Sequence, residues 1–157
     1  MEHNAHIATA KGENLRISRK LAVEVATFIR GKTLTDAKKK MENVMALKVA
    51  VPFRKYHMDL GHKKGHIGPG RFPSNVAKEV LRLLKSAEMN AVNKGLDAES
   101  LYVSRIVSHR GNTQMKPGRL RGRKAKRTHI EITLTEKEKK KTEKKETKIN
   151  PKEKKTQ

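Results

Sequence analysis

The stretch from Leu101 to Leu134 constrains this chain most, because two apolar, alternating segments flank one that cannot build a core. On the far side, Thr128-His129-Ile130-Glu131-Ile132-Thr133-Leu134 puts Ile130, Ile132 and Leu134 on one face and His129, Glu131 and Thr133 on the other. That is the two-residue period of a half-buried strand. On the near side, Leu101-Tyr102-Val103-Ser104-Arg105-Ile106-Val107 is rich in β-branched residues and also strand-like, with less regular alternation. Between them, residues 109–127 hold eight Lys or Arg, three Gly, one Pro and no carboxylate. A loop of that length is either functional or disordered, and its composition favours function. If both strands continue to a turn near Pro117 and Gly118, each arm gains about ten residues and, at roughly 3.3 Å per residue, the finger projects on the order of 30 Å. Bare edges and self-repelling charge make such a finger unstable in water, so it requires a polyanion around it.

The remaining chain allows one domain with one modest core. Of its 157 residues only 34% are hydrophobic and 3% aromatic, so the core must be small and aliphatic. Lys and Arg number 38 against 16 acids, a net charge of +22, which implies a nucleic-acid partner more readily than a metabolite. An acidic membrane surface would serve the same charge, but no basic helix with a large apolar face occurs. The absence of cysteine excludes a disulfide framework and a thiolate zinc site. With no apolar run long enough to span a bilayer and no signal-peptide pattern at the start, the expected location is the cytoplasm.

Taken in order, Ala5 to Ala10 is weakly strand-like and is expected to pair with the later strands. A first helix is predicted with Ser18 as N-cap, its hydroxyl accepting from the first free amides, and with Leu21, Val25, Phe28 and Ile29 on one face; Gly31 stops it. A second starts near Thr33 or Thr35 and turns Ala37, Met41, Val44 and Met45 inward, Lys38, Lys39 and Lys40 outward. From Pro52 to Pro73 the chain reads as a long, basic, Gly- and Pro-punctuated loop with aromatics interleaved, suited to phosphates and exposed bases. The bland alternative is a surface loop whose Phe53, Tyr56 and Phe72 pack back on the domain. His57, His62 and His66 lack a Cys or a convergent carboxylate for a metal site. The longest helix runs from about Ser74 or Asn75 to Asn93, closed by Gly95, with Val76, Val80, Leu83, Leu84, Ala87 and Ala91 as its core stripe. From Glu136 to Gln157 there are ten Lys and five Glu with Ile149 the only large apolar side chain, the composition of a disordered tail. The chain up to Thr135 still carries +17 of the +22, so the basic character belongs to the folded part.

Catalytic chemistry has little to work with. No phosphate-binding glycine loop and no nucleophile elbow occurs, and Asp36, Asp59, Asp97 and Glu99, the carboxylates nearest loops, lie in different segments. A metal-dependent nuclease would need several carboxylates converging in one cleft. The expectation is therefore not an enzyme, with no cofactor and no metal.

Separated blocks point to one family. Ile17-Ser18-Arg19-Lys20-Leu21-Ala22, Ile29-Arg30-Gly31-Lys32 and Ala46-Leu47-Lys48-Val49-Ala50-Val51-Pro52-Phe53-Arg54-Lys55-Tyr56 resemble the universal large-subunit ribosomal protein L-twenty-two family. Gly61-His62-Lys63-Lys64-Gly65-His66 with Gly68-Pro69-Gly70-Arg71-Phe72-Pro73 resembles the insertion of its archaeal and eukaryotic branch, whose eukaryotic member is called L-seventeen. Arg127-Thr128-His129-Ile130-Glu131-Ile132 is similar to the returning strand of the family's hairpin, and the likeness covers about residues 5 to 135. At the tip, Pro117-Gly118-Arg119-Leu120-Arg121-Gly122-Arg123-Lys124-Ala125 departs from the family's usual Pro-Arg-Ala-x-Gly-Arg-Ala.

The resemblance implies an α+β fold: a small antiparallel sheet packed with three helices, plus a long protruding β-hairpin. The expected layout is a domain over residues 1–135, with its hairpin at about 101–134 and extended tip at about 109–127, and a disordered Lys/Glu-rich tail over 136–157. It implies large-subunit ribosomal RNA, neighbouring large-subunit proteins and the nascent polypeptide of the exit tunnel as partners, and no membrane. The candidate RNA-binding residues are Arg54, Lys55, His62, Lys63, Lys64, Arg71, Arg105, Arg110, Lys116, Arg119, Arg121, Arg123, Lys124, Lys126 and Arg127. Arginine forks suit phosphates and base faces, and a tip mobile in the free protein is expected to order on RNA. A DNA-compacting, chromatin-like protein is the alternative that the charge alone would also allow.

Overall fold

The computed structural model describes residues 6–65, 67–119 and 122–136. In chain order these form β1 (Ile7–Leu15), α1 (Arg19–Ile29), α2 (Leu34–Met45), β2 (Val51–Pro52), β3 (His62–Lys63), β4 (Gly68–Arg71), α3 (Ser74–Asn93), β5 (Leu101–Arg110), β6 (Gln114–Met115), β7 (Lys124–Ala125) and β8 (Thr128–Glu136). The class is α+β, with three helices and small antiparallel sheets, as expected. The tail residues 137–157, Ala5, His66, Leu120 and Arg121 lie outside the described residues.

β8 is the middle strand of the main sheet, ordered β1-β8-β5. Its clean alternation places Ile130, Ile132 and Leu134 in the core at 0 to 1% exposure. The weak signal at Ala5 to Ala10 is the start of a longer strand: β1 pairs antiparallel with β8 from Ile7 opposite Thr135 to Leu15 opposite Thr128. Its second half escapes a pattern reading because Lys11-Gly12-Glu13-Asn14 is poor strand sequence. Gly12 keeps this contact close, since a Cβ would stand 3.0 Å from both Leu83 methyl groups. Gly12→Ala is therefore expected to destabilise the fold by about 1 to 2 kcal/mol through overpacking, read as a lower urea midpoint with unchanged m-value.

The irregular alternation of β5 has a physical cause. Val103 faces Leu134 but Arg105 faces Thr133, so Ser104 is an extra residue in the ladder. This bulge shifts the buried set from Leu101 and Val103 to Ile106. The outer edge of β5 is partly closed by the α1–α2 link, where the Gly31 N–H donates to the Val103 carbonyl and the Val103 N–H donates to the Lys32 carbonyl, both at 2.9 Å. Gly31, at φ +73°, makes that return possible and ends α1.

The helices cover the sheet with their predicted apolar stripes. α3 packs on β1 and β8, α1 on β5, and α2 on α3. The core is aliphatic, with Phe53 the only aromatic among the fully buried side chains of the described residues. Leu21 and Phe28 are half-buried against its margin. Two helix expectations need correction. Ser18 holds the N-cap position in extended conformation, but its hydroxyl makes no cap bond. The Thr33 hydroxyl does cap α2, accepting from the Asp36 N–H at 3.2 Å. Met45 is 38% exposed rather than inward, since one residue past buried Val44 is a step of about 100° around the helix.

The stretch from Pro52 to Pro73 is more ordered than a loop. β4 is the middle of a second sheet, β2-β4-β3, with Val51 opposite Arg71, Pro52 opposite Gly70, His62 opposite Pro69 and Lys63 opposite Gly68. Gly-Pro-Gly-Arg carries no strand propensity, which hides β4 in the sequence; Gly70 is needed because a Cβ would meet the Val51 carbonyl oxygen at 3.1 Å. Phe53 packs back into the core, as the bland reading of this stretch allowed.

Candidate nucleic-acid interface

Beyond Arg110 the two arms stay together. Arg110 faces Thr128, the Gly111 N–H donates to the Arg127 carbonyl at 2.9 Å, β6 pairs with β7, and the Lys116 N–H donates to the Arg123 carbonyl at 2.8 Å. At Gly111 the chains approach so closely that a Cβ would stand 3.0 Å from the Arg127 Cβ and 3.1 Å from its carbonyl carbon. No large apolar side chain supports the described part of these arms, and Met115 is 61% exposed.

The root of these arms is clipped to the end of β1 and to the turn that leads into α1. The buried Thr128 hydroxyl donates to the Ile17 carbonyl at 2.9 Å, the Arg127 guanidinium donates to the Asn14 carbonyl at 3.2 Å, and the Asn14 N–H donates to His129 Nδ1 at 3.3 Å. β1 is irregular just before this turn: its register on β8 shifts between Gly12 and Leu15, with Asn14 at φ +53°. These bonds bring the start of α1 against the arms and leave two adjoining clefts. One, of about 300 Å³, is lined by Ser18, Arg19, Lys20, Arg110, Thr113, Lys124, Lys126 and Arg127. The other, of about 330 Å³, is lined by Arg16, Ile17, Ser18, Lys116, Lys124, Ala125 and Lys126. Among the described residues no acidic side chain lines either cleft.

Electrostatically this arrangement is unsatisfied. A helix start favours negative charge, yet the first turn of α1 has no acid and begins with Arg19 and Lys20. Clustered cations and a helix N-terminus all ask for an anion, and phosphate satisfies both. Four carboxylates are paired with other cations: among the described residues, Lys11 pairs with Glu13 at 3.2 Å and Glu131 at 3.5 Å, Lys38 with Glu88, and His6 with Glu136 at 3.4 Å. The hydrogen bond and charge of Glu13, with the charge of Glu131, raise the Lys11 pKa above its ordinary value.

Of the predicted site residues, Arg110, Lys116, Lys124, Lys126 and Arg127 converge on the two clefts. Arg119 and Arg123 are exposed farther along the arms, and Arg121 lies outside the described residues. Arg105 is exposed on β5 beyond the bulge. Arg54, Lys55, His62, Lys63, Lys64 and Arg71 do not line the clefts but form a further exposed group on and around the second sheet, where the Lys63 ammonium lies 5.7 Å from the centre of the Phe72 ring. None of these candidates takes part in the ion pairs found among the described residues.

Arg16, Arg19, Lys20 and Glu24 are missing from the sequence-based set. The signal for Arg19 and Lys20 was two cations in a helix's first turn, where acids are preferred. Glu24 sits on the inward face of α1 at 2% exposure and accepts from three consecutive backbone N–H groups: Arg54 at 3.1 Å, Lys55 at 2.9 Å and Tyr56 at 2.7 Å. Only an acid at a core position of an amphipathic helix marked it in the sequence.

Among the described residues no His, Cys, Asp or Glu cluster is placed to hold a metal ion, and no helix is long and apolar enough to cross a membrane. The family model described as ribosomal protein L22p/L17e matches residues 10–135, which includes both arms, the clefts and the second sheet. Large ribosomal subunit protein uL22 of Nanoarchaeum equitans is 40% identical over 140 residues, covering 83% of this chain and 79% of that protein. The protein of the same name from Methanococcoides burtonii is 42% identical over 118 residues, covering 74% and 78%, and that from Ignicoccus hospitalis 42% over 130 residues, covering 76% and 82%. A family match spanning nearly the whole described fold, joined to relatives at this identity over most of their length, means that the chain belongs to the ribosomal protein L22p/L17e family.

Proposed function

We propose that this chain is a structural protein of the large ribosomal subunit, working in the cytoplasm, and that it acts by binding the subunit's RNA rather than by catalysis. The observation that carries this reading is the pair of adjoining clefts at the root of the arms, lined by cations from the β1–α1 turn, α1, β5 and β7 with no acid among the described residues that line them. Residues 1–135 act as one RNA-binding domain, with neighbouring large-subunit proteins around it and residues 136–157 as a basic appendage. Arg110, Lys116, Lys124, Lys126 and Arg127 hold phosphates at the root, while Arg119, Arg121 and Arg123 take RNA along the finger. Arg54, Lys55, His62, Lys63, Lys64 and Arg71 extend the RNA-binding surface over the second sheet, and Arg105 extends it along β5. The finger's end lines the exit tunnel and meets the nascent polypeptide, with the RNA's negative field offsetting its self-repulsion.

Nothing in the fold favours a DNA-compacting protein, and binding decides between the two. The full chain is titrated with a large-subunit rRNA transcript and with duplex DNA of equal length across a salt series. The expected result is tighter binding to the transcript at every salt concentration. Lys126→Gln should weaken it only about two- to fivefold and lower the slope of log K against log salt by slightly less than one. Equal or tighter binding to DNA would reverse the assignment.

A further inference from the structure

The chain spends one of its few acids in an unusual way. Glu24 is 2% exposed and none of the ion pairs among the described residues includes it. Its two oxygens divide three successive backbone donors: Oε2 accepts from Arg54, and Oε1 from both Lys55 and Tyr56. Consecutive amides turned onto one anion form a nest, which fixes the path of the backbone there. The charge is thus applied to the main chain, and the Arg54 and Lys55 side chains stay exposed. One helical turn before Glu24, the Lys20 ammonium lies 5.7 Å from the centre of the Tyr56 ring, and that of Lys55 lies 5.9 Å from it. Lys20 also lines the first of the two clefts, with Arg19 and Arg110. The turn held by Glu24 is therefore continuous, through Tyr56 and Lys20, with the cationic surface at the root of the arms.

From this arrangement we infer that Glu24 is the positioning residue of a preorganised RNA-phosphate clamp formed by Lys20, Arg54 and Lys55. The inference rests on the RNA-binding role proposed above and adds a buried acid as a requirement for it. A cationic turn left free would lose conformational entropy on meeting RNA; held by three bonds in advance, it does not. The consequence runs against net charge. Removing an acid from a protein of charge +22 should strengthen its attraction to RNA, yet removing this one is expected to weaken binding. In Glu24→Gln one oxygen can still accept from two amides, while the new NH2 group faces the third donor.

The experiment compares full-length Glu24→Gln, the Arg54→Gln/Lys55→Gln double variant, the triple combination and Glu131→Gln, each titrated with a large-subunit rRNA transcript across a salt series. Glu131 is a suitable charge control, with its side chain 47% exposed. Expected are a loss of about tenfold for Glu24→Gln, with the salt slope lower by about one, and a similar loss for the double variant. The triple variant should fall less than about twofold below the double, and Glu131→Gln should bind as tightly as the parent or tighter. Hydrogen exchange on the parent should show slow amides at Arg54, Lys55 and Tyr56. Glu24→Gln binding as well as Glu131→Gln, or losses that multiply independently in the triple variant, would overturn the inference. If Glu24→Gln fails to fold, the double variant and the parent's exchange decide: unchanged affinity, or fast exchange at the three amides, overturns it. A parent that does not bind the transcript would instead sink the RNA-binding role.

Discussion

Excising residues 111–127 and joining Arg110 to Thr128 through an Asn-Gly turn is expected to leave the thermal midpoint within about 3 °C of the parent while reducing affinity for a large-subunit rRNA transcript on the order of a thousandfold. The two halves of this result have separate causes. The buried apolar residues of these strands end at Ile106 on β5 and begin at Ile130 on β8, so the cut removes none of the core. Thr128, whose hydroxyl fastens the β1–α1 turn, is retained. The removed segment carries Lys116, Arg119, Arg121, Arg123, Lys124, Lys126 and Arg127. At roughly 0.7 to 0.9 of a released counterion per phosphate contact, the salt slope falls by as much as about five or six if each makes one contact. Calorimetry with filter binding measures both halves. A large fall in the midpoint would mean that the arms support the fold, and an unchanged slope would remove them from the interface.

Ile132→Ala is expected to cost about 3 to 4 kcal/mol and to lower the thermal midpoint by about 10 °C. Ile132 lies at the centre of the middle strand, opposite Ala10 on β1 and Ile106 on β5, at 0% exposure. Neither neighbour can fill the space: Ala10 has only a methyl group, and Ile106 belongs to the same packed layer. Against a domain's usual stability, on the order of ten kcal/mol, this is a large loss. The loss should also carry into RNA binding near the midpoint, because the clefts exist only while β8 holds Thr128 against Ile17. A midpoint shift under about 3 °C would contradict the reading of β8 as the strand that holds the sheet together.

Much of this fold was legible from periodicity. β8 alternates without interruption, and α3 carries its apolar stripe along the whole of Ser74–Asn93, so each announces itself. What escaped did so for identifiable reasons. The bulge at Ser104 changes which parity of β5 faces inward, a shift that a fixed two-residue period reads as noise. β4 is built from Gly-Pro-Gly-Arg, whose pairing depends on close approach to Val51 rather than on propensity. The candidate site divided in the same way. The cations of residues 110–127 were conspicuous because no acid separates them. Arg16, Arg19 and Lys20 belong to a turn and helix far earlier in the chain, and the pairing of Leu15 with Thr128, together with the bonds at Arg127, Thr128 and His129, brings them alongside. Glu24 was hidden more deeply, since its partners are main-chain amides of a distant segment that carry no side-chain signature.

If this chain is a working part of the large ribosomal subunit, held there by RNA contacts, it must sediment with that subunit. A tagged full-length copy is expressed at low level in a host whose ribosomes carry the same family of protein, and native lysate is resolved on sucrose gradients at moderate and high salt. The tagged chain is expected to migrate with the large subunit and with intact ribosomes at both salt concentrations, and excision of residues 111–127 to move it to the free fractions. Migration of the intact chain at the top of the gradient, or with DNA, would rule out a place in the large subunit.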